Sequence, residues 1–311
     1  MAVVAVTVGF VAQGHAPRPY AAVEGELLDT LMAVPPPPPD TTAAAEQLRN
    51  LEARRAAPGA APRPPQLGLA EPEAGDPVDL EIRVALLRAG GSPSLSAQGP
   101  WQLLSRDGQL LQQGAAGQSV DLGALWQAGP ETWLQTTGPA LLVNGQPYGG
   151  RLRLIQESSG LRLVNHLALE EYISSVVGAE MPSSWSMEAL RAQAVAARSY
   201  ALAHMARPAN RHWHLGDTTR WQAYRGQGSV TDRTRQATAA TAGLILSYQG
   251  AIVESLYAAN RQISLEAHGH LGASMSQHGA QDLAQQGFRY NQILGHYYQG
   301  ASLARLKAGA G

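Results

Sequence analysis

The apolar residues of this chain change their period near residue 166, and that change limits the fold more than any other feature. In "GRLRLIQESSGLRLVN" (150–165), Leu152, Leu154, Leu161 and Leu163 alternate with polar residues around a Ser-Ser-Gly turn. A period of two is that of a strand with one buried face, and the turn makes the two runs a hairpin. In "LALEEYISSVV" (167–177) the apolar residues are Leu169, Tyr172, Ile173, Val176 and Val177, the spacing of one helix face. Upstream, "LEIRVALLR" (80–88) and "WQLLS" (101–105) read as strands, and Asp107-Gly108 offers a turn into "QLLQQG" (109–114). Downstream, Ser186 is a good N-cap, with Glu188 in the first turn of a second helix and Leu190, Ala194, Ala197 and Ala201 as its apolar stripe. Strand signals return in "GLILSYQGAIVESLYA" (243–258), and a helical pair ends the pattern around 279–298. The expectation is an α+β fold, with a β-rich part over residues 78–166 and a mixed helix and strand core over 167–303.

Residues 1–77 have a different texture. "AVPPPPPD" (33–40) and "APGAAPRPPQLGLAEPEAGDP" (57–77) are Pro/Ala-rich tracts that stay extended and disordered, because they have too little apolar surface to bury. "TTAAAEQLRNLEARRA" (41–56) reads as one short helix between them, and the whole stretch as leader and linker. "AVVAVTVGFVA" (2–12) is too short for a bilayer span, which takes about 20 residues. It has the length of an export-signal core without the usual basic residue before it, and a buried strand is the other reading.

Charge and composition remove several function classes. With 23 basic and 24 acidic side chains the net charge is −1, so nothing electrostatic points to nucleic acid. The absence of cysteine excludes disulfides, thiolate metal sites and thiol nucleophiles. "HWHLGD" (212–217) holds His212 and His214 near an aspartate, but two ligands do not make a zinc site. His268, His270 and His278 lie in a glycine-rich stretch that lacks the phosphate-loop pattern, and there is no G-x-S-x-G elbow. No metal and no cofactor is expected.

"VVGAEMPSSWSMEALRAQAVAARSYALAHM" (176–205) then draws attention in a chain with so few charges. Glu180 sits in a break bounded by Gly178 and Pro182, with Val176, Val177, Met181 and Trp185 as sequence neighbours. It reads either as a solvated helix-terminal carboxylate or as a general acid. An apolar wall keeps a carboxyl proton available near neutral pH. Arg191 and Arg198 share a helix face and read as a solvated stripe or as a clamp for an anionic group. A guanidinium against Glu180 would spoil it as an acid, so the arginines are expected to bind substrate rather than Glu180.

The stretch 167–202 resembles the core motif of the stage II sporulation protein D/LytB family: a Leu-Glu-x-Tyr element, then Glu-Met-Pro, then the Glu-Ala-Leu-basic-Ala-Gln-Ala-Val-Ala-Ala-Arg helix. "VNGQPYGGRLRLI" (143–155), "GDTTRWQAYRG" (216–226), "SMSQHGAQDLAQQG" (274–287) and "YNQILGHYYQGASL" (290–303) are similar to the family too. The resemblance implies a peptidoglycan lytic transglycosylase of the bacterial envelope, with Glu180 catalytic. It implies substrate contacts at Arg191, Gln193, Arg198, Tyr257 and Gln277. The partners implied are glycan strands, and in the alternative, a non-catalytic peptidoglycan-binding protein, also a cell-wall amidase. Some relatives bind zinc near the Asp-Thr-Thr element. Here that stretch has no cysteine, and Trp221 and Arg220 occupy it, either stacking on sugar faces or filling the space. The segment after Tyr257 is shorter than is usual in the family.

Overall fold

The computed structural model describes residues 68–76, 78–125, 129–158, 160–253, 256–258 and 274–307. The readings made for residues 1–67, and those of His268 and His270, lie outside these residues.

Seven strands form the main sheet. They are β1 (Glu81–Ala85), β3 (Trp101–Ser105), β4 (Leu110–Gly114), β5 (Glu131–Thr136), β8 (Arg151–Glu157), β9 (Gly160–Ala168) and β10 (Leu215–Gly216), in the order β10-β1-β9-β8-β5-β3-β4. Every pairing is antiparallel except β1 with β10. The alternation seen in the sequence sets the faces. Leu103, Leu134, Leu152, Leu154, Leu161 and Leu163 are all buried. Each fully buried leucine contributes about 1.5–3 kcal/mol relative to an exposed one. Residues paired across strands share a face, so Gln102 with Gln135, and Trp133 with Arg153, stand on the opposite side.

Smaller sheets complete the β part: β2 (Leu95–Ala97), β6 (Leu141–Val143) and β7 (Gln146–Tyr148) in one, β11 (Leu244–Tyr248), β12 (Ala251–Ile252) and β15 (Ser302–Arg305) in another. A third pairs β13 (Leu256–Ala258) in parallel with β14 (Ser274–Ser276). Besides a single turn of helix at Leu122–Leu125, the helices are α1 (Leu169–Glu180), α2 (Met187–Ala206), α3 (Asp232–Ala240), α4 (Gln277–Gln285) and α5 (Tyr290–Tyr297). An α+β architecture is thus present, β-rich first and mixed afterwards. No helix among the described residues is long and apolar enough to cross a membrane.

α1 follows β9 without a loop, and the Leu169 N–H donates to Leu80 O at 2.8 Å. α2 is the central helix and packs against α1, α3, α4 and α5. It is buried on nearly every side, and its alanines allow the close approach. Ser186 does cap it, accepting from the Glu188 N–H.

Two details differ from the sequence expectation. Gly178 does not end α1; the helix runs to Glu180, and Pro182 stops it. Glycine is required at 178 because Ser229 crosses the helix there, and a Cβ would run into the Ser229 carbonyl. Residues 68–76, the end of the stretch read as linker, lie against the folded core. Leu69 packs on it, its N–H donates to Asn291 O at 3.2 Å, and Asn291 Nδ2 donates to Leu69 O at 3.0 Å.

Candidate functional site

Glu180 is the last residue of α1, and its half-buried side chain is held from two distant parts of the chain. Oε1 accepts the backbone N–H of Ala223 at 2.8 Å. Oε2 accepts Nε2 of Gln277, the first residue of α4, at 3.2 Å. Among the described residues the carboxylate has no ion-pair partner.

Both donors are positioned by local packing. The residue before Ala223, Gln222, is fully buried; it accepts from the Tyr172 hydroxyl at 2.9 Å and donates to Ala197 O at 3.1 Å. α1 and α2 therefore hold the segment that aims the Ala223 N–H. The Tyr224 hydroxyl donates to Asn165 Oδ1 at 2.6 Å, and Asn165 donates to Gly149 O at 2.9 Å, which anchors the same segment to β9. Burial pushes the Tyr172 and Tyr224 phenols well up from their ordinary value, so both remain neutral donors. On the other side, Ser276 caps α4 by accepting from the Gly279 N–H at 3.0 Å, and Gln277 is buried.

The turn after Glu180 is braced as well. Arg233 donates to Ser183 O and to Trp185 O, each at 2.7 Å. The Ser186 N–H donates to Gln281 Oε1 at 2.8 Å. The rings of Trp185 and His278 lie 4.9 Å apart. Val176, Val177 and Met181 are buried in the core beside this turn.

The other expected residues are distributed unevenly. Arg198 is fully buried rather than exposed as a clamp. It donates from Nε and Nη2 to the two carboxylate oxygens of Glu170, at 2.7 and 2.6 Å, and from Nη1 to Leu244 O at 3.0 Å. With these partners it ties α2 to α1 and β11, and it presents no donor to a groove. Arg191 is about a third exposed and paired with Glu188 at 2.7 Å. The other Glu188 oxygen accepts the Tyr290 N–H at 2.8 Å, and Arg191 Nε is buried without a partner among the described residues. The two arginines thus pair with Glu188 and Glu170, not with Glu180, and they do not share one exposed face. Gln193 is fully buried, and among the described residues neither of its amide atoms has a hydrogen-bond partner.

Trp221 is half-buried two residues before Ala223, over Gly216, with the Arg220 guanidinium 5.1 Å from its ring. Tyr257 lies in β13 opposite Met275, two residues before Gln277. That register brings its backbone beside the strand leading to the site; its side chain lies outside the described residues.

His214 is buried against Arg83, which approaches both ring nitrogens at 3.1 and 2.9 Å, and His212 contacts Arg211. Among the described residues no three His, Cys, Asp or Glu are grouped to hold a metal ion. Asp217 is buried too. Burial pushes its carboxyl up, opposed by Arg88 at 3.3 Å and the Leu87 N–H at 3.0 Å, and it fastens β10 to the end of β1. Sequence reasoning missed the Ala223 N–H and its support by Gln222 and Tyr172. A backbone donor has no residue signature, and the only signal was that "GDTTRWQAYRG" stood out as a block.

A family model described as Stage II sporulation protein matches residues 157–248, from β9 to β11. An uncharacterised protein of Brachyspira hyodysenteriae is 36% identical over 124 residues, 40% of this chain and 34% of that one. The amidase enhancer of Bacillus subtilis is 34% identical over 102 residues, 33% of this chain and 14% of that protein. Stage II sporulation protein D of Bacillus subtilis is 31% identical over 109 residues, 30% and 32% of the two chains. The chain therefore spans about a third or less of the length of each of these relatives. Glu180, Arg191, Gln193, Arg198, Trp221 and Ala223 all fall inside the matched stretch, and over that stretch the chain is similar to the stage II sporulation protein family and to the amidase enhancer.

Proposed function

We propose that this protein works on the bacterial cell wall as a peptidoglycan lytic transglycosylase, with Glu180 as its acid and base. The observation that carries the reading is the grip on Glu180 by Ala223 and Gln277. A backbone N–H can only donate, so Oε1 stays an acceptor in both protonation states and the mobile proton belongs on Oε2. The Gln277 amide can follow that proton. It donates through Nε2 to the carboxylate, and turned over it accepts the carboxyl O–H through Oε1.

One such group is enough for this chemistry. Hydrolysis by an ordinary glycosidase needs two carboxylates. In the proposed reaction Glu180 gives its proton to the glycosidic oxygen as the bond from C1 of N-acetylmuramic acid breaks. The C6 hydroxyl of the same sugar bonds to C1, and its proton returns to Glu180. The products are a 1,6-anhydro sugar end and a free hydroxyl on the leaving strand, with no water consumed. Arg191 is the arginine proposed to meet the lactyl carboxylate, since it is partly exposed whereas Arg198 is buried. Gln193, Trp221 and Tyr257 are proposed as further glycan contacts. Such a substrate places the protein in the cell envelope.

The similarity to an amidase enhancer favours a second reading, a protein that binds peptidoglycan and stimulates an amidase without cutting glycan. Purified glycan strands freed of stem peptides separate the two. Mass spectrometry of the digest is expected to show anhydro-muramoyl ends. Glycan binding without such ends, together with a faster amidase in the mixture, would favour the second reading.

A further inference from the structure

At the β4 edge of the main sheet, the face opposite the leucine core opens into a cleft of about 690 Å³. It is lined by Pro100, Gln102, Gln113, Ala115, Gln135 and Thr137. β4 is four strands away from β9, about 19 Å at the usual strand spacing. β9 leads into the helix that carries Glu180, so the cleft is separate from that residue.

Strand register builds the lining. Gln102 pairs with Gln113 across β3 and β4, and with Gln135 across β3 and β5. Paired residues share a face, so the three amides stand in one row about 10 Å long. All three are exposed, and Gln135 Nε2 donates to Gln102 Oε1 at 3.3 Å. The sheet that carries the row is braced from its other face, where the buried Trp101 ring lies against Gly114, so that any Cβ there would collide with it, and its Nε1 donates to Gln118 O at 2.9 Å. On that same face the Thr136 hydroxyl donates to Pro100 O at 2.8 Å.

Among the described residues no ionisable side chain lines the cleft. It therefore has no acid, base or nucleophile, and no cation with which to hold an anion. What it offers is an exposed row of carboxamides, each with two donors and one acceptor, flanked by Pro100 and Ala115. That suits a neutral ligand dense in hydroxyl and amide groups. The volume lies within the range of ligand sites, and an open row fits a stretch of polymer.

We propose that this cleft is a second, non-catalytic carbohydrate subsite that binds a neutral, N-acetylated glycan segment. The choice of an N-acetylated sugar rests on the function proposed above, whereas the neutral hydrogen-bonding class rests on the lining alone.

Isothermal titration of the full chain with the tetramer of N-acetylglucosamine tests it, using Glu180→Gln as the parent so that no cutting occurs. In the double variant Gln102→Ala/Gln135→Ala the affinity should fall about tenfold or more, as expected when several hydrogen bonds are lost. Ala115→Trp, which fills the cleft from an exposed position, should do the same. The melting temperature should hold in both, since the replaced side chains are at the surface. Unchanged affinity in both variants, or no binding of the tetramer by the parent, would overturn the subsite. Loss of anhydro-end formation in Glu180→Gln concerns the other site, so the two proposals fail separately.

Discussion

Arg198 has no exposed atom, and its guanidinium meets a carboxylate and backbone carbonyls from three other elements. Removing it takes both guanidinium bonds from the Glu170 carboxylate, which keeps only the Gly243 N–H at 3.4 Å, and one donor from the Leu244 carbonyl. Loss of one partner of a buried pair costs about 3–5 kcal/mol, and Glu170, about a third exposed, points to the lower end of that range. Urea unfolding of Arg198→Ala is expected to show a loss of about 3 kcal/mol. Arg198→Lys should recover little, because an ammonium cannot span both Glu170 oxygens in the guanidinium's geometry. A fully stable Arg198→Ala protein would contradict this role. The sequence spacing put Arg191 and Arg198 on one helix face correctly in angle. Which side of α2 faces solvent is decided by Glu170 and β11, and neither is visible within the helix. Glu180 and Gln277 were each legible as candidates, but their pairing crosses 97 residues and its geometry needed the fold.

At the scale of elements, the joint between α1 and the turn of residues 226–229 is set by one missing Cβ. Gly178→Ala would push the Ser229 carbonyl off the helix two residues before Glu180. Overpacking of this kind costs about 1–3 kcal/mol. The expected outcome is a lower melting temperature together with weakened glycan binding or cutting. A variant equal to the parent in both respects would contradict it. Local period made strands and helices legible, and so α1, α2 and the β8–β9 hairpin follow the sequence closely. The helix end was misjudged because a glycine between apolar residues signals a stop and a close backbone approach alike, and only the position of Ser229 distinguishes them.

On the scale of the whole molecule, β10 lies in parallel beside β1, about 130 residues earlier in the chain, and joins the β-rich part to the helical part. No local pattern announces such a pairing. His214, beside this joint, has its pKa held well below 6.5, first by burial and then by the charges of Arg83, His166 and His204. The unfolded chain takes up a proton near the ordinary value, while the folded chain refuses it until a lower pH. Stability is therefore greatest above about pH 6.5 and falls as the pH drops below it toward the folded value. Melting curves across that interval should show the decline, and His214→Gln should flatten it; equal slopes in both proteins would contradict the assignment. The account as a whole depends on a single proton carried by Glu180. Glu180→Gln preserves the shape and both hydrogen-bonding partners, so it removes the proton and little else. The most direct measurement is the yield of 1,6-anhydro-muramoyl ends from peptide-free glycan strands, compared between the parent and this variant. The account predicts a fall of about 100-fold or more, the scale of a lost general acid, with binding retained. Equal yields from the two proteins would contradict it.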